Sequence, residues 1–285
     1  MEFDIYAFAD YSGAATPRAQ RKSIVLATCE AGSEREMHLS HHSREELVAA
    51  VETLLATASQ QGKRVLFGFD HSYSFPGGFY EAVTGEAWNS WEQVLNLLAT
   101  GTDRLPRIEE LTGRAFAKAV NDLFGEKWSW DGGGPFWGAN FVQLKDPKFP
   151  YDELPLQERR LVEERCRRMK PIYKIGGAGS VGLQALYGIR YLARLRKFCQ
   201  EQGIEVFAWP FDGWEVPQSG HVLVEVYPTL FNKQERTDTN DALACAAWLA
   251  QQDRQGTLRE WFEIPLTVEE RERARLEGWV IGVKE

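Results

Sequence analysis

Two aspartates, three positions apart, open a segment that reads as an amphipathic helix, TDTNDALACAAWLA (237–250). Thr, Asp and Asn commonly cap helix N-termini, and acids in the first turn complement the helix dipole, so capping is one interpretation. Capping needs only one side chain, however, and Asp238 and Asp241 point to the same side of a helix. Two carboxylates held together repel each other unless a cation or another donor compensates them. The pair is therefore either a helix cap or part of a cation site.

Further acids fall at or near the ends of predicted strands. Asp10 ends the first strand, Asp70 ends the strand after the first helix, and Glu225 lies in the last long strand. A carboxylate at a strand end is often merely exposed, but acids that converge on one sheet edge suit Mg²⁺, which binds a few carboxylates and several waters. Two such ions about 4 Å apart activate a water and stabilise the leaving oxygen of a phosphodiester. We predict an Mg²⁺ or Mn²⁺ site of one or two ions. Its predicted metal ligands are Asp10, Asp70, Glu225 and Asp241, and its predicted catalytic acids are Asp10, Asp70, Asp238 and Asp241.

The elements that must position these acids follow an α/β pattern. The order β-β-β-α-β is predicted from strands at 4–13, 22–30 and 35–40, a helix at 43–62, and a segment at 63–76 in which a buried strand runs into a loop at Asp70. Short connections make the first three strands antiparallel. Ser43 is the expected N-cap of the helix, with Glu46 completing a capping box. We predict a mixed sheet of five or more strands flanked by helices, and the small apolar residues after Asp241 would lie against that sheet.

Residues 77–150 break this rhythm. Tryptophans and the run DGGGPFWG crowd into a stretch rich in glycine and aromatic residues. The stretch is predicted to be an insertion or lid, and an irregular structural subdomain is the alternative, because buried aromatic residues usually belong to a core. No internal repeat or low-complexity linker interrupts the chain, so we predict a single domain over residues 1–285 that carries this insertion.

Composition and charge narrow the class of protein. The net charge of −8 argues against a protein that coats nucleic acid in general, although it permits an acidic enzyme with a local basic track. The chain has no apolar run long enough for a membrane span, and its first residues do not resemble a secretory signal. Its four cysteines have no paired spacing, which indicates reduced thiols. We therefore expect a cytoplasmic protein without a membrane partner.

A glycine loop, GAGSVG, follows a short predicted strand and opens a long predicted helix. Gly177, Gly179 and Gly182 match the dinucleotide-binding spacing, but the strand is short and the expected acid after the next strand is missing. Two other interpretations stay open. The helix N-terminus binds a phosphate through Lys174, Gly177, Gly179 and Ser180, or the glycines form a tight turn that lets the helix pack closely.

Basic residues on the same long helix and a histidine beside Asp70 are weaker candidates. Arg190, Arg194, Arg196 and Lys197 form a stripe that is either a solvated face or a phosphate track. His71 either orients a water or phosphate, or it has a surface or supporting role.

Several of these segments together resemble a known superfamily. The β-β-β-α-β order, FADYSG, GFDHSYSFP, VEVYPTLF and DTNDALACAAW look like the ribonuclease H-like superfamily, and the Asp-x-x-Asp helix is similar to that of RuvC-type Holliday-junction resolvases. With KIGGAGSVGLQALYGIRYLARLR, WPFDG and EGWVIGV, the whole chain resembles an uncharacterised bacterial family of predicted RNase H-like nucleases. The resemblance implies that Asp10 is the central bridging ligand, Asp70 the second-strand acid, and Asp241 with Asp238 the helical acids.

Three functions follow from these patterns. The first is a divalent-metal-dependent nuclease or phosphodiesterase, and the predicted lid and the acidic charge favour a small or structured nucleic-acid or nucleotide substrate. The second is a non-catalytic protein that binds a nucleotide or phosphate metabolite on the same fold. The third is a structural protein without a metal site, whose acids only cap helices and end strands.

Overall fold

The computed structural model describes residues 1–33, 36–108, 112–128, 134–138, 156–177 and 179–284. The chain divides into two compact units. The first unit contains Met1–His71, Arg194–Leu266 and Trp279–Lys284, and the second contains Ser72–Ala193 and Thr267–Gly278. The single domain with an insertion stays a prediction.

The strands and helices alternate along most of the chain. In chain order they are β1 (Ile5–Asp10), α1 (Pro17–Ser23), β2 (Val25–Glu30), β3 (His38–His41), α2 (Arg44–Gln60), β4 (Val65–Phe69), α3 (Phe79–Thr84), α4 (Trp91–Thr100), α5 (Gly113–Trp128), β5 (Trp137–Gly138), α6 (Leu161–Arg165), β6 (Lys174–Gly176), α7 (Gly182–Gln202), β7 (Val206–Ala208), β8 (His221–Val226), α8 (Asp238–Arg254), α9 (Val268–Glu277) and β9 (Val280–Ile281).

A mixed sheet forms the centre of the first unit. Its order within the described residues is β3-β2-β1-β4-β8-β7, and β9 also pairs with β8. The pairs β1/β2 and β2/β3 are antiparallel, whereas β4 pairs in parallel with β1 and β8, and β8 pairs in parallel with β7 and β9. The predicted mixed sheet flanked by helices, with its first three strands antiparallel, is confirmed.

Parallel pairing of β1, β4 and β8 brings their carboxyl ends to one edge of the sheet. Ala9 lies opposite Phe69, and Phe69 lies opposite Glu225. The amide of Asp70 donates to the carbonyl oxygen of Ala9 at 3.1 Å, which continues the ladder by one residue. Because β1 ends at Asp10, three acids that are distant in sequence are anchored to neighbouring strands.

Helix α8 covers β1 and β2 with a face of small residues. Ala242, Cys245, Ala246 and Leu249 are fully buried and recur with the spacing of one helix face. Small side chains let the helix backbone approach the sheet, as the sequence predicted for this segment. The N-terminus of α8 therefore faces the strand ends that carry the acids.

The chain between β1 and β2 forms a helix that the sequence pattern did not predict. The predicted strand at 22–30 begins only at Val25, because α1 extends to Ser23. The Thr16 hydroxyl accepts from the Ala19 amide, and Pro17 fills the first turn, where a missing amide hydrogen costs nothing. Helix α2 has the predicted capping box of Ser43 and Glu46.

The second unit contains helices α3 to α6, α9, the start of α7 and a parallel pair of strands, β5 and β6. Residues 77–150, the predicted insertion, belong to this unit, and 109–111, 129–133 and 139–150 lie outside the described residues. Among the tryptophans of this stretch, Trp88 and Trp91 are buried, and the Trp91 indole donates to the Tyr73 carbonyl at 2.7 Å. These two side chains are part of a packed core, and a lid function for the stretch stays a prediction.

Throughout the described part of the chain, no helix combines the length and the apolar character that crossing a membrane requires. Cys29, Cys199 and Cys245 are buried, and Cys166 is partly exposed.

Candidate functional site

Four predicted acids meet where the edge of the sheet faces the start of α8. The Asp10 carboxyl group shares side-chain hydrogen bonds with both Asp70 and Asp238, and the charge of Asp241 acts on Asp10 and Asp70. Asp10 and Asp241 are only 5% and 6% exposed. We call Asp10, Asp70, Asp238 and Asp241 the acidic cluster. The structure brings them together, and their roles as ligands and catalytic groups stay predictions.

Burial and mutual repulsion make ionisation of this cluster unfavourable. Burial, followed by the charges of its three acidic neighbours, raises the pKa of Asp10 to about 10. Burial is also the main reason why the pKa of Asp70 rises to about 7, with Asp241 and Glu225 adding to the effect. The pKa of Asp238 is raised as well, again mainly by burial. The cluster therefore holds protons near neutral pH, which allows one carboxyl group to donate to another.

Neither Asp238 nor Asp241 caps α8. The cap is Thr237, whose hydroxyl accepts from the Asn240 amide at 3.1 Å. Asp238 and Asp241 are the first and fourth residues of the helix, and their carboxyl groups are engaged by other side chains. Side-chain capping therefore accounts for neither acid, although both lie in the first turn, where negative charge complements the helix dipole.

Two donors from the connection before α8 hold the Asp241 carboxylate. Asn232 Nδ2 donates to Oδ1 at 2.5 Å, and Arg236 Nε donates to Oδ2 at 3.1 Å. Arg236 Nη2 also lies 3.0 Å from the same Oδ2. The positive charge of Arg236 partly offsets the repulsion at Asp70 by lowering its pKa. Sequence reasoning missed both partners, since nothing in FNKQERT (231–237) distinguishes an ordinary polar loop from one that binds a carboxylate.

The chemistry of the donor set fits a hard divalent cation. Carboxylate oxygens are the ligands that Mg²⁺ and Mn²⁺ prefer, and a side-chain cation already balances one of these acids. Across the described ranges of the chain, no group of three or more His, Cys, Asp and Glu side chains has an arrangement that could hold a metal ion. The carboxyl groups are joined instead by hydrogen bonds to one another and to Asn232 and Arg236.

Glu225 is close enough to influence the cluster. It is 3% exposed, lies opposite Phe69 in the sheet register, and its charge contributes to the raised pKa of Asp70. This predicted ligand therefore belongs to the surroundings of Asp70, on the side of β8.

Arg44, which the sequence did not single out, fixes the chain that leaves Asp10. Its guanidinium donates to the carbonyl oxygens of Ser12 and Ala14, at 2.6 Å and 2.7 Å from Nη2. The Arg44 side chain is 5% exposed although it occupies the first turn of α2. A buried arginine that binds backbone oxygens orders the loop beside Asp10. Its position in the sequence, among other charged residues, is typical of a solvated helix start.

Two histidines differ in what they contact. His71 is buried between aromatic rings, with centroids 4.8 Å from Tyr11 and 5.7 Å from Phe69. These contacts favour a supporting role, which is one of the roles predicted for His71. His41, at the end of β3, is near enough to Asp238 to lower the pKa of that acid. His41 is thus a neighbour of the cluster that sequence reasoning missed.

The glycine loop lies in the second unit and has the geometry of a packed turn. Gly177 and Gly179 have φ values of 87° and 68°, which favour glycine. The amides of Ser180 and Val181 donate to carbonyl oxygens of Gly177 and Lys174, both at 3.2 Å. These two amides are therefore engaged within the loop, and the phosphate site of Lys174, Gly177, Gly179 and Ser180 stays a prediction. Ala178 lies outside the described residues.

Gly182 shows why the loop must be small where α7 begins. A Cβ atom there would lie 2.2 Å from the Ile172 carbonyl oxygen and 2.4 Å from the Ile175 side chain. The strand before it, β6, pairs with β5 in a separate two-stranded sheet. Close packing, one of the two interpretations left open, accounts for this glycine.

Carboxylates neutralise most of the basic stripe on α7. Arg194 contacts Glu45 and Glu52 at 2.6 Å and 3.1 Å. Arg196 contacts Asp212 at 2.8 Å, and Lys197 lies 3.8 Å from Glu201.

Arg190 has its guanidinium carbon 5.1 Å from the centroid of the Tyr191 ring. The stripe therefore corresponds to an ion-paired face, and its use as a phosphate track has no support in these contacts.

Comparisons of the chain with protein-family models, with curated proteins and with solved structures found no match.

Proposed function

We propose that this protein is a divalent-metal-dependent phosphodiesterase or nuclease of the RNase H-like type, acting on a restricted nucleic-acid or nucleotide substrate. The observation that carries the proposal is the acidic cluster, in which buried Asp10 shares hydrogen bonds with Asp70 and Asp238 while Asp241 stands close by. A structural role would not require acids to face acids, because burying like charges together costs stability. A site that binds one cation through several carboxylate oxygens would require acids to face one another.

Asp10, Asp70 and Asp241 would hold the ion, with Glu225 beside Asp70 as the further candidate. When bound, Mg²⁺ or Mn²⁺ would supply Lewis-acid stabilisation of phosphate charge and a water that is easily deprotonated. Asp10 and Asp70 bind protons near neutral pH in the metal-free protein, because their pKa values are about 10 and about 7. Cation binding must therefore release protons from these carboxyl groups, and affinity for Mn²⁺ should increase with pH.

The other residues of the site order the acids. Arg44 holds the loop after Asp10, the β1/β4 ladder fixes Asp70, and Asn232 positions the Asp241 carboxylate. Each of these contacts to the acids or to their loops is made by side-chain or backbone atoms whose positions the fold determines. These contacts keep the acids near one another in the metal-free protein, which supports a common site for them.

Hydrolysis assays on single-stranded, duplex and branched oligonucleotides and on dinucleotides, with Mn²⁺ or with chelator, test this function. The wild type should cleave at least one substrate only with metal, and Asp10→Asn should lower that rate roughly 100-fold or more, since it removes a ligand charge from the reaction centre. Glu235→Gln is the matched control, because Glu235 is an exposed acid on the connection before α8. It should retain the rate.

Mn²⁺ binding without cleavage of any of these substrates would favour the non-catalytic phosphate-binding alternative. A wild-type protein that neither binds Mn²⁺ in titration calorimetry nor hydrolyses any of them would rule out the proposed function.

A further inference from the structure

Arg236 reaches from solvent to the buried carboxylate of Asp241 in the acidic cluster. Its side chain is 54% exposed, whereas that of its partner Asp241 is 9% exposed. Nε and Nη2 lie 3.1 Å and 3.0 Å from Asp241 Oδ2, and Nη1 donates to the Thr229 hydroxyl at 2.6 Å. The guanidinium therefore covers one side of the Asp241 carboxylate and is itself in contact with bulk water.

The two oxygens of Asp241 have unlike partners. Asn232, which holds Oδ1, is 7% exposed, and its own oxygen accepts from the Gln234 amide at 2.7 Å, so its orientation is fixed from two sides. Arg236, which holds Oδ2, has a long side chain with a half-exposed head, so its guanidinium is already partly hydrated and can turn to another partner. Oδ2 is thus the oxygen that can change partners at small cost.

We propose that Arg236 is a phosphate-positioning residue, which binds Asp241 Oδ2 in the metal-free protein and turns to a phosphodiester when a divalent cation takes that oxygen. The inference rests on the proposed function. A divalent cation and a guanidinium are both positive, so they compete for the same carboxylate. An incoming phosphodiester brings negative charge, and arginine binds phosphate oxygens through paired N–H donors. The same side chain therefore balances the site before and after the ligand binds.

Titration calorimetry with Mn²⁺ alone tests the competition. Arg236→Gln should bind Mn²⁺ roughly threefold more tightly than the wild type or better, because Oδ2 no longer has a competing cation. Lys233→Gln is the matched control. Lys233 lies on the same connection, is exposed, and donates to the Leu230 carbonyl at 3.2 Å, so its replacement removes one positive charge and leaves the hydrogen bonds of Asp241 intact.

A phosphorothioate dinucleotide, titrated in saturating Mn²⁺, tests the second half. Arg236→Gln should weaken its binding about tenfold, as expected for loss of a charged hydrogen bond. Arg236→Lys should recover part of the affinity, since lysine binds phosphate as a point charge. Lys233→Gln should bind the dinucleotide like the wild type. Because the Arg236 head is half exposed, all three variants should keep the wild-type circular dichroism.

The outcomes separate this inference from the function on which it rests. If the wild type binds no Mn²⁺, both are wrong. Two results would overturn only this inference and would show that Arg236 forms an ordinary ion pair with Asp241. In the first, the wild type binds Mn²⁺ but Arg236→Gln and Lys233→Gln gain equally in Mn²⁺ affinity. In the second, Arg236→Gln binds the dinucleotide as tightly as the wild type.

Discussion

Helix α8 has a buried aspartate at each end, and the two differ in whether other acids lie beside them. Asp253, in the last turn, is 4% exposed and accepts from the Glu2 and Phe3 amides at 2.8 Å and 2.9 Å and from the Tyr6 hydroxyl at 2.6 Å. Asp241, in the first turn, is 6% exposed and lies beside Asp10 and Asp70.

The comparison shows that burial alone does not mark a functional acid. At the C-terminal end the Asp253 oxygens accept from two backbone amides and a hydroxyl, so the carboxylate ties the N-terminal strand to the helix. At the N-terminal end Asn232 and Arg236 also donate to Asp241, but other acids of the cluster lie beside it, and burying these acids together is destabilising until a cation or protons compensate their charge. A buried acid that meets donors alone is explained by structure, whereas one that also has acids beside it indicates a binding site.

Replacing Asp253 should have the largest effect on stability. Asp253→Ala leaves the Phe3 amide and the Tyr6 hydroxyl buried without this acceptor, and we expect the free energy of unfolding to fall by about 4 kcal/mol. Urea denaturation measures the change. Tyr6→Phe removes one of the donors and should cost about 1 kcal/mol. A loss below that of Tyr6→Phe would contradict the structural role of Asp253.

The acids at the other end should make stability depend on pH. The folded protein keeps a proton on Asp10, whose pKa rises from 3.8 to about 10, so the unfolded chain releases a proton that the folded one retains. Stability is therefore highest below pH 4 for this group and falls as pH rises through the window between the two values. One retained proton lowers the free energy of unfolding by about 3 kcal/mol between pH 5 and pH 7.

Urea denaturation with chelator across that range, compared between wild type and Asp10→Asn, isolates the effect, because the amide does not titrate. The raised pKa of Asp70 also makes stability fall as pH rises, between pH 3.8 and about pH 7. The wild type should lose stability relative to Asp10→Asn as pH rises, while Asp253→Asn should keep the wild-type slope. Parallel curves for wild type and Asp10→Asn would show that the cluster is not held together.

The sequence predicted the location of the acids better than their partners. Hydrophobic patterns located β1, β4, β8 and α8, and parallel pairing then placed acids from distant segments at one edge. The contacts of Arg236, Asn232 and Arg44 depend on how two polar loops fold, and polar loops carry no periodic pattern.

Helix α1 was missed for a related reason. Only Gln20 is buried among its seven residues, so the sequence has no apolar face that would indicate a helix. Only Thr16 and Pro17 indicate where the helix begins. The glycine loop shows the converse limit, because its spacing matches a binding motif whereas the contacts of Gly182 are those of close packing.

Metal binding should separate the two ends of α8 directly. At about 100 times its dissociation constant, Mn²⁺ should stabilise the wild type by about 2 to 3 kcal/mol. Asp10→Asn and Asp241→Asn should gain less than half of this, because each loses a ligand charge. Asp253→Asn should gain as much as the wild type although it starts less stable. Thermal melts with chelator and with Mn²⁺ measure the gains, and equal gains in all four proteins would mean that the cluster does not bind the ion.

The smallest effect is expected at Asp238, the exposed member of the cluster. Asp238→Asn relieves repulsion with Asp241 but removes a charge that complements the N-terminus of α8, and these opposed contributions should leave stability within about 0.5 kcal/mol of the wild type. Because the ligands are expected among the buried acids, the gain with Mn²⁺ should also be nearly that of the wild type. Differential scanning calorimetry with and without Mn²⁺, run beside Asp241→Asn, measures both. If Asp238→Asn loses the metal response as fully as Asp241→Asn does, Asp238 is itself a ligand and exposure does not separate the ligands from the rest of the cluster.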